Sequence, residues 1–405
     1  MQLGNRLLSH LTCACLPMAG LPIPIHSGGD DPVQQATQPS AGVAFLLAAP
    51  GARTRDHDIV SKMAVAAALA DLLDLPFHGV VDPANRPPGR LLVVPSETLD
   101  STEAARLGIC SEVNLFGGVV PAAFVASKVI THPLVSADAA APAGWCPAFC
   151  DAVAEVVLPG HAAFTREDAR LAGERLLAAG AVRLKEAGGV GGTGQSVVKD
   201  TAELEACLQS LDTAALGRDG VVLERNLDEV TTLSVGQVRV GPWLGSYCGT
   251  QDTTPNHQGD EVYGGSELTM VLGDYDRLLT LDLPPATRTA IEQARVYDAA
   301  ARACYPGLMA SRCNYDIAQG LDAAGQWRSG VLEQSWRIGG ASGAEIAALQ
   351  AFKANPGWRW VRASTHECYA DQVTLPPGAR LLYDGVDPHV GRLVKYAWLQ
   401  GHGDL

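Results

Sequence analysis

The stretch Val182-Arg183-Leu184-Lys185-Glu186-Ala187-Gly188-Gly189-Val190-Gly191-Gly192-Thr193-Gly194-Gln195-Ser196-Val197-Val198 decides the fold. Its centre, Gly189 to Gly194, spells G-x-G-x-x-G letter for letter. In a dinucleotide-binding fold that pattern runs straight into a helix, whose N-terminus holds the pyrophosphate. Here Gln195-Ser196-Val197-Val198 follows and reads as a strand, so the segment is a strand–turn–strand lid. No Gly-Lys-Ser/Thr closes it, so it is not a Walker loop either. Without Cβ atoms, a turn lets its backbone N–H groups approach phosphate oxygens closely. Five glycines in residues 188–194 exceed what a plain hairpin needs. Lys185 closes an apolar strand beside this turn and is read as facing a bound phosphate.

Working outward, residues 165–179 form a helix capped by Thr165, with Asp168 three residues on as a weak capping box. Residues 201–211 form another, begun by Asp200 or Thr201. A strand at 220–223 ends in Glu224-Arg225-Asn226-Leu227, a segment able to offer backbone C=O and N–H to a base edge. Upstream, strands at 43–47, 77–81 and 91–94 with a helix at 58–72 suggest a small parallel βαβ layer. An apolar strand and turn occupy 115–121. Residues 1–40 read as an extension ending in a linker. The apolar run at 7–25 is broken by His10, Pro17, Pro22 and Pro24, which makes a cleaved signal the minor reading. Downstream, 232–240 and 243–250 pair as a hairpin, 285–305 and 343–352 are helices, and the tail packs on the core.

The second informative constellation lies near the C-terminus. In Arg312-Cys313-Asn314-Tyr315-Asp316, alternation puts Arg312, Asn314 and Asp316 on one face. After the turn Asp322-Ala323-Ala324-Gly325, Glu333, Ser335 and Arg337 share a face too. A hairpin brings the two faces together. Two carboxylates with hydroxyl or amide oxygens form a hard-cation site suited to Mg²⁺ bridging phosphates. Arg312 and Arg337 are then placed to steady a transferring phosphoryl group. Ser342 and Glu345 have capping-box spacing, which would aim a helix N-terminus at the same place.

Composition bounds the partners. The net charge of −14 argues against nucleic acid, whose binding rests on phosphate neutralisation by Lys and Arg. The ten cysteines show no zinc spacing and read as free thiols in a reducing cytoplasm. No apolar run of membrane-spanning length stands elsewhere, so no membrane partner is expected.

The order of these pieces resembles the ATP-grasp superfamily over about residues 115–370. That resemblance implies an α/β (α+β) fold of two ATP-grasp subdomains behind a small parallel βαβ domain. The expected divisions are 41–120, 121–222 with the Gly-rich lid, 223–370 with the metal site, and a tail at 371–405. It further implies that Lys128, in Phe124-Val125-Ala126-Ser127-Lys128, is a first phosphate lysine. Glu224, Arg225, Asn226 and Leu227 would hold adenine, and Thr232 or Asp228 would lie near the ribose. Lys185, Gly189, Gly191, Gly192, Thr193, Gly194 and Gln195 would cover the phosphates, and Asp316, Glu333 and Ser335 would hold Mg²⁺. The superfamily's usual Glu-x-Asn-x-Arg stands here as Glu333-x-Ser335-x-Arg337, and Ser is the weaker ligand. Stretches such as Val182–Lys185, Tyr263-Gly264-Gly265-Ser266 and the run 332–343 look like a bacterial family catalogued only as domain of unknown function 3182. The implied activity is ATP-dependent joining of a carboxylate to an amine or thiol, with small-molecule substrates and a homodimer as expectations. A phosphotransferase on the same fold, or a nucleotide-binding scaffold without turnover, are the alternatives.

Overall fold

The computed structural model describes residues 40–47, 56–84, 87–189 and 194–404. The first layer holds three parallel strands, β1 (Gly42–Leu46), β2 (Phe77–Val80) and β3 (Leu91–Pro95), in the order β2-β1-β3. GVAFL and LLVVP are buried along their whole length, as strands covered on both faces must be. Helix α1 (Asp56–Leu73) joins β1 to β2 and buries Val65, Ala66, Leu69 and Leu72. Short pieces follow: β4 (Leu99–Asp100), α2 (Ser101–Arg106), β5 (Gly118–Val120), two 3₁₀ turns at Ala123–Ala126 and Lys128–Thr131, and α3 (Pro147–Val153).

The second layer is an antiparallel sheet in the order β6-β9-β7-β8, formed by β6 (Gly160–Ala163), β7 (Val182–Glu186), β8 (Gln195–Val198) and β9 (Val221–Arg225). Helices α4 (Arg166–Leu177), α5 (Thr201–Ser210) and α6 (Thr213–Asp219) bury Leu176, Leu204, Leu208 and Leu216 against Val182, Leu184 and Leu223. The Thr165 hydroxyl accepts the Asp168 N–H and caps α4, while the Asp200 carboxylate caps α5. β7 and β8 pair from Val182↔Val198 to Lys185↔Gln195. The glycine-rich segment therefore joins two antiparallel strands with no helix after it, which removes the dinucleotide-binding alternative.

The third layer is an eight-stranded antiparallel sheet. Its strands are β10 (Asp228–Val240), β11 (Trp243–Pro255), β12 (Glu261–Leu272), β14 (Arg312–Leu321), β15 (Trp327–Ser335), β16 (Trp358–Cys368), β17 (Arg380–Asp387) and β18 (Gly391–Asp404). The two-residue β13 (Met309–Ala310) pairs back to β5. Their order is β15-β14-β10-β11-β12-β16-β18-β17. The short α7 (Tyr275–Leu278) follows β12; α8 (Pro285–Cys304) and α9 (Ser342–Ala354) cover opposite faces of the sheet. Ile291, Ala294 and Tyr297 of α8 pack with Val235, Tyr315 and Val331. Leu349 and Phe352 of α9 share a core with α1 and with Tyr247, Met270 and Val361.

Residues 371–405 are more than a tail: they supply β17 and β18, which extend the large sheet and meet α1. Arg380 pairs with Asp71, and Lys395 with both Asp58 and Glu367. The step from the second layer to the third falls between Arg225 and Asp228. Among the described residues no helix is long and apolar enough to cross a membrane, and all eight described cysteines are free thiols.

Candidate active site

The β14–β15 hairpin is set by its turn. The Asp322 carboxylate accepts the N–H groups of Ala324 and Gln326; the register runs back from there to Ile317↔Val331, and a bulge at Leu332 then shifts it by one residue. Asn314 stands opposite Ser335, and Asp316 opposite Glu333. Asp316 Oδ1 accepts from Gln251 Nε2 at 2.6 Å and from Asn314 Nδ2 at 2.8 Å. Burial, reinforced by the Glu333 charge, pushes the Asp316 carboxyl up to about 6. Two carboxylates directly across a ladder repel. A hard divalent cation relieves that repulsion, and an all-oxygen donor set suits Mg²⁺. No cluster of three or more His, Cys, Asp or Glu with metal-binding geometry occurs among the described residues. The carboxylate pair fits a cation that completes its shell with water and phosphate oxygens. Ser335 is engaged elsewhere, since its carbonyl and hydroxyl oxygens accept from Arg312 Nη1 at 3.2 and 3.4 Å.

Lys128 ties this hairpin to the glycine-rich segment. Its Nζ lies 2.9 Å from Glu333 Oε2 and donates to the Gly189 carbonyl at 2.9 Å. Gly191, Gly192 and Thr193 fall outside the described residues. Gly194 offers its carbonyl to the Glu186 N–H, and the Gln195 side chain accepts from Arg183.

Lys185 was expected to face a phosphate. It is only 4% exposed, and its Nζ contacts Glu224 Oε1 at 2.5 Å, diagonally across the β7–β9 ladder. Glu224 was expected to offer backbone groups to adenine, yet its carboxylate is the buried partner here, with Oε2 3.1 Å from His132 Nε2. Gly160 makes room for that contact, because a Cβ there would lie 2.8 Å from His132 Nδ1. Burial alone would raise the Glu224 carboxyl, but the Lys185 charge and the His132 hydrogen bond outweigh it and hold it at about 2. The folded value lies below the ordinary 4.5, so this stabilisation is complete above pH 4.5 and fades as the pH falls toward 2. Glu224→Gln is expected to remove about 3 kcal/mol of acid-sensitive stability. Urea midpoints measured between pH 2 and 7 check this: a wild-type slope below pH 4.5 that persists in the variant would refute it.

The remaining residues expected beside a nucleotide occupy the passage between the second and third layers. The Arg225 N–H donates to the Pro159 carbonyl and the Asn226 N–H to that of Ala181. Asn226 Oδ1 accepts from Arg183 Nη2 at 2.8 Å. Leu227 is buried with Leu158 and Ala318. Thr232 stands opposite Ala318 on β10, half-buried.

Arg312 corrects an expectation. It does lie on the Asp316 face, but at 1% exposure its guanidinium is committed within the protein. Nη2 and Nε bond Glu345, and Nη1 donates to the Arg337 carbonyl at 2.7 Å. It braces the Glu333-x-Ser335-x-Arg337 segment from beneath rather than facing a phosphoryl group. The Ser342/Glu345 capping box is corrected with it. Ala341 is the N-cap of α9 and caps nothing with its side chain, while Ser342 Oγ accepts the Gly339 N–H. Glu345 is the buried partner of Arg312 and of the Tyr247 hydroxyl, 2.7 Å away.

Arg337 is the arginine that remains partly exposed; its Nε lies 3.2 Å from Glu97 Oε2. On the other side of Glu97 stands Lys62, 3.2 Å from Oε1. The loop after Arg337 packs against Tyr263, and a Cβ on Gly340 would come within 2.6 Å of that ring. Lys62, Glu97, His132, Tyr247 and Gln251 were not singled out from the sequence. Gln251 and Tyr247 could have been reached by extending the β10–β11 hairpin register; the others come from distant segments.

The sequence profile of a family described as protein of unknown function (DUF3182) matches residues 46–397. No curated protein matches the sequence. Among solved structures, N5-carboxyaminoimidazole synthetase from Staphylococcus aureus, complexed with ADP, superposes with a TM-score of 0.53 at 10% identity, covering 89% of this chain and 94% of that one. Phosphoribosylamine–glycine ligase from Thermotoga maritima gives 0.49 at 15% identity, with coverage of 89% and 98%. Biotin carboxylase from Campylobacter jejuni gives 0.48 at 13%, with coverage of 88% and 87%. The likeness is one of fold: the ATP-grasp fold, preceded by a small α/β domain.

Proposed function

The chain belongs to the family described as protein of unknown function (DUF3182), and we propose that it is an ATP- and Mg²⁺-dependent ligase joining a small carboxylate to an amine or thiol through an acyl phosphate. The observation that carries this reading is the convergence on Glu333. It faces Asp316 across the hairpin, and Lys128 links it to the start of the glycine-rich segment. The synthetase that shares the fold was solved with ADP, which supports a nucleotide here.

Asp316 and Glu333 would hold Mg²⁺, which when bound neutralises charge on the β- and γ-phosphates. Lys128, paired with Glu333, stands where it would also offset charge on the phosphates. The glycine-rich segment lends its N–H groups to the same oxygens. A carboxylate oxygen of the substrate attacks the γ-phosphorus, ADP leaves, and Arg337 offsets the charge that develops. The amine or thiol then adds to the acyl carbon, phosphate departs, and the nucleophile's proton goes to solvent. Arg312 acts by positioning Arg337.

The test is ADP release from the full-length protein with MgATP and pools of small organic acids, with hydroxylamine present to trap an acyl phosphate as a hydroxamate. ADP and hydroxamate forming together support a ligase. Phosphorylated product without hydroxamate supports a phosphotransferase instead. ATP that binds but never turns over with any pool overturns both. Lys128→Met is expected to weaken MgATP binding by about 10- to 100-fold, as loss of a charge-assisted phosphate contact should. Calorimetric titration checks it, and an unchanged dissociation constant removes Lys128 from the site.

A further inference from the structure

Arg337 leaves the metal hairpin and meets the first layer at the carboxyl end of β3, where open α/β layers hold their ligands. Two cations converge there on one carboxylate. Glu97 Oε1 is 3.2 Å from Lys62 Nζ, and Oε2 is 3.2 Å from Arg337 Nε. Lys62 is fixed by a second bond to the Ser96 carbonyl at 2.9 Å, and its side chain is 13% exposed. Glu97, by contrast, is 39% exposed on its side chain. The segment carrying Arg337 is held from the same direction, since Thr98 Oγ1 donates to the Trp336 carbonyl at 3.1 Å.

A fixed lysine and a braced arginine that share the two oxygens of one half-open carboxylate make a carboxylate seat. Two positive charges and one negative leave it net +1, and +2 if Glu97 swings out. The seat lies four residues along the chain from Glu333, beside the place where a γ-phosphate would be held under the ligase reading, on which this inference rests.

We infer that Lys62 and Arg337 form the seat for the carboxylate of the acid substrate, and that Glu97 fills it as an internal stand-in until the acid displaces it. The ligand class is a small organic acid. Lys62 selects for its carboxylate, and Glu97 sets its apparent affinity by competing for the same two cations.

Acetate is the probe, observed by saturation-transfer difference NMR on the full-length protein, with MgATP binding measured in parallel by calorimetry. Glu97→Gln removes the competing charge and keeps the shape, so acetate should bind about tenfold tighter than to wild type. Adding Lys62→Met to that variant should abolish the gain, while Lys62→Arg should keep it. MgATP affinity should stay within about twofold throughout, because neither residue contacts the lysine–carboxylate cluster. Acetate binding that is equal in wild type, E97Q and K62M/E97Q overturns the seat, even if MgATP binds normally. Acetate responding as stated in a protein that fails to bind MgATP upholds the seat and removes the ligase reading.

Discussion

Glu333→Gln is expected to lower ADP release by about 10³-fold, on the order of 4 kcal/mol of transition-state stabilisation. The change is nearly isosteric, yet it acts on three groups at once. It removes one of the two charges assigned to the cation. It leaves Asp316 without the facing carboxylate that helps push its own proton affinity up. It also releases Lys128 from its 2.9 Å partner. Lys128 is thereby freed for phosphate in the absence of metal, so ATP binding without Mg²⁺ should hold or improve while turnover collapses. Steady-state ADP release at saturating Mg²⁺, with ATP titrations in EDTA, separates the two effects. Turnover within tenfold of wild type would show that Glu333 holds no catalytic cation.

Glu345→Gln should be the most damaging single change to the fold. Glu345 and Arg312 are fully buried against each other, with Tyr247 bonded to the same carboxylate. Removing one charge of such a pair leaves the other uncompensated in a low-dielectric interior, which costs about 3–5 kcal/mol. For a chain of this size that corresponds to a fall in Tm on the order of 5 °C. Because Arg312 also holds the Arg337 and Ser335 carbonyls, activity should drop beyond what the unfolded fraction explains. Calorimetric scans and assays well below the transition check both. A Tm within about 1 °C of wild type would mean that the pair contributes no net stability.

The outline of the site follows from period-two alternation and one turn, and its register from a bulge that neither one shows. Asp322-Ala323-Ala324-Gly325 marks the β14–β15 hairpin, but counting back from Leu321↔Trp327 would put Asp316 opposite Leu332; a bulge at Leu332 shifts the register by one and brings Glu333 opposite Asp316 and Ser335 opposite Asn314. The same alternation placed Arg312 on the right face but could not give its depth. Depth depends on α9, which brings Glu345 up beneath the sheet from thirty-three positions along the chain. Glu345 itself looked like a cap because its spacing from Ser342 fits one; a buried ion pair leaves no local signature. Lys185 and Glu224 were both noticed, but their pairing needs the β7–β9 register, and that is set by packing of α4 and α5. Within β12, Tyr263-Gly264-Gly265-Ser266 has the composition of a turn, and β17 and β18 lie beyond Pro376-Pro377-Gly378. These strands are defined by their neighbours in the large sheet rather than by their own pattern.

The meeting of α1 with β17 and β18 bears on how the chain is made. Lys395 reaches Asp58 across 337 positions, and the His57 N–H reaches Asp387 across 330. On the ribosome, residues 42–80 emerge long before the strands that cover them. The part of α1 that packs on β17 must therefore wait for residues 380–404, and contacts of such long span are slow to close. Until then the early segment is a natural client for chaperones. The first layer gains its last contacts only when the large sheet is complete, and because it supplies Lys62 and Glu97 while Arg337 comes from the large sheet's side, the proposed acid seat is among the last parts of the molecule to be finished.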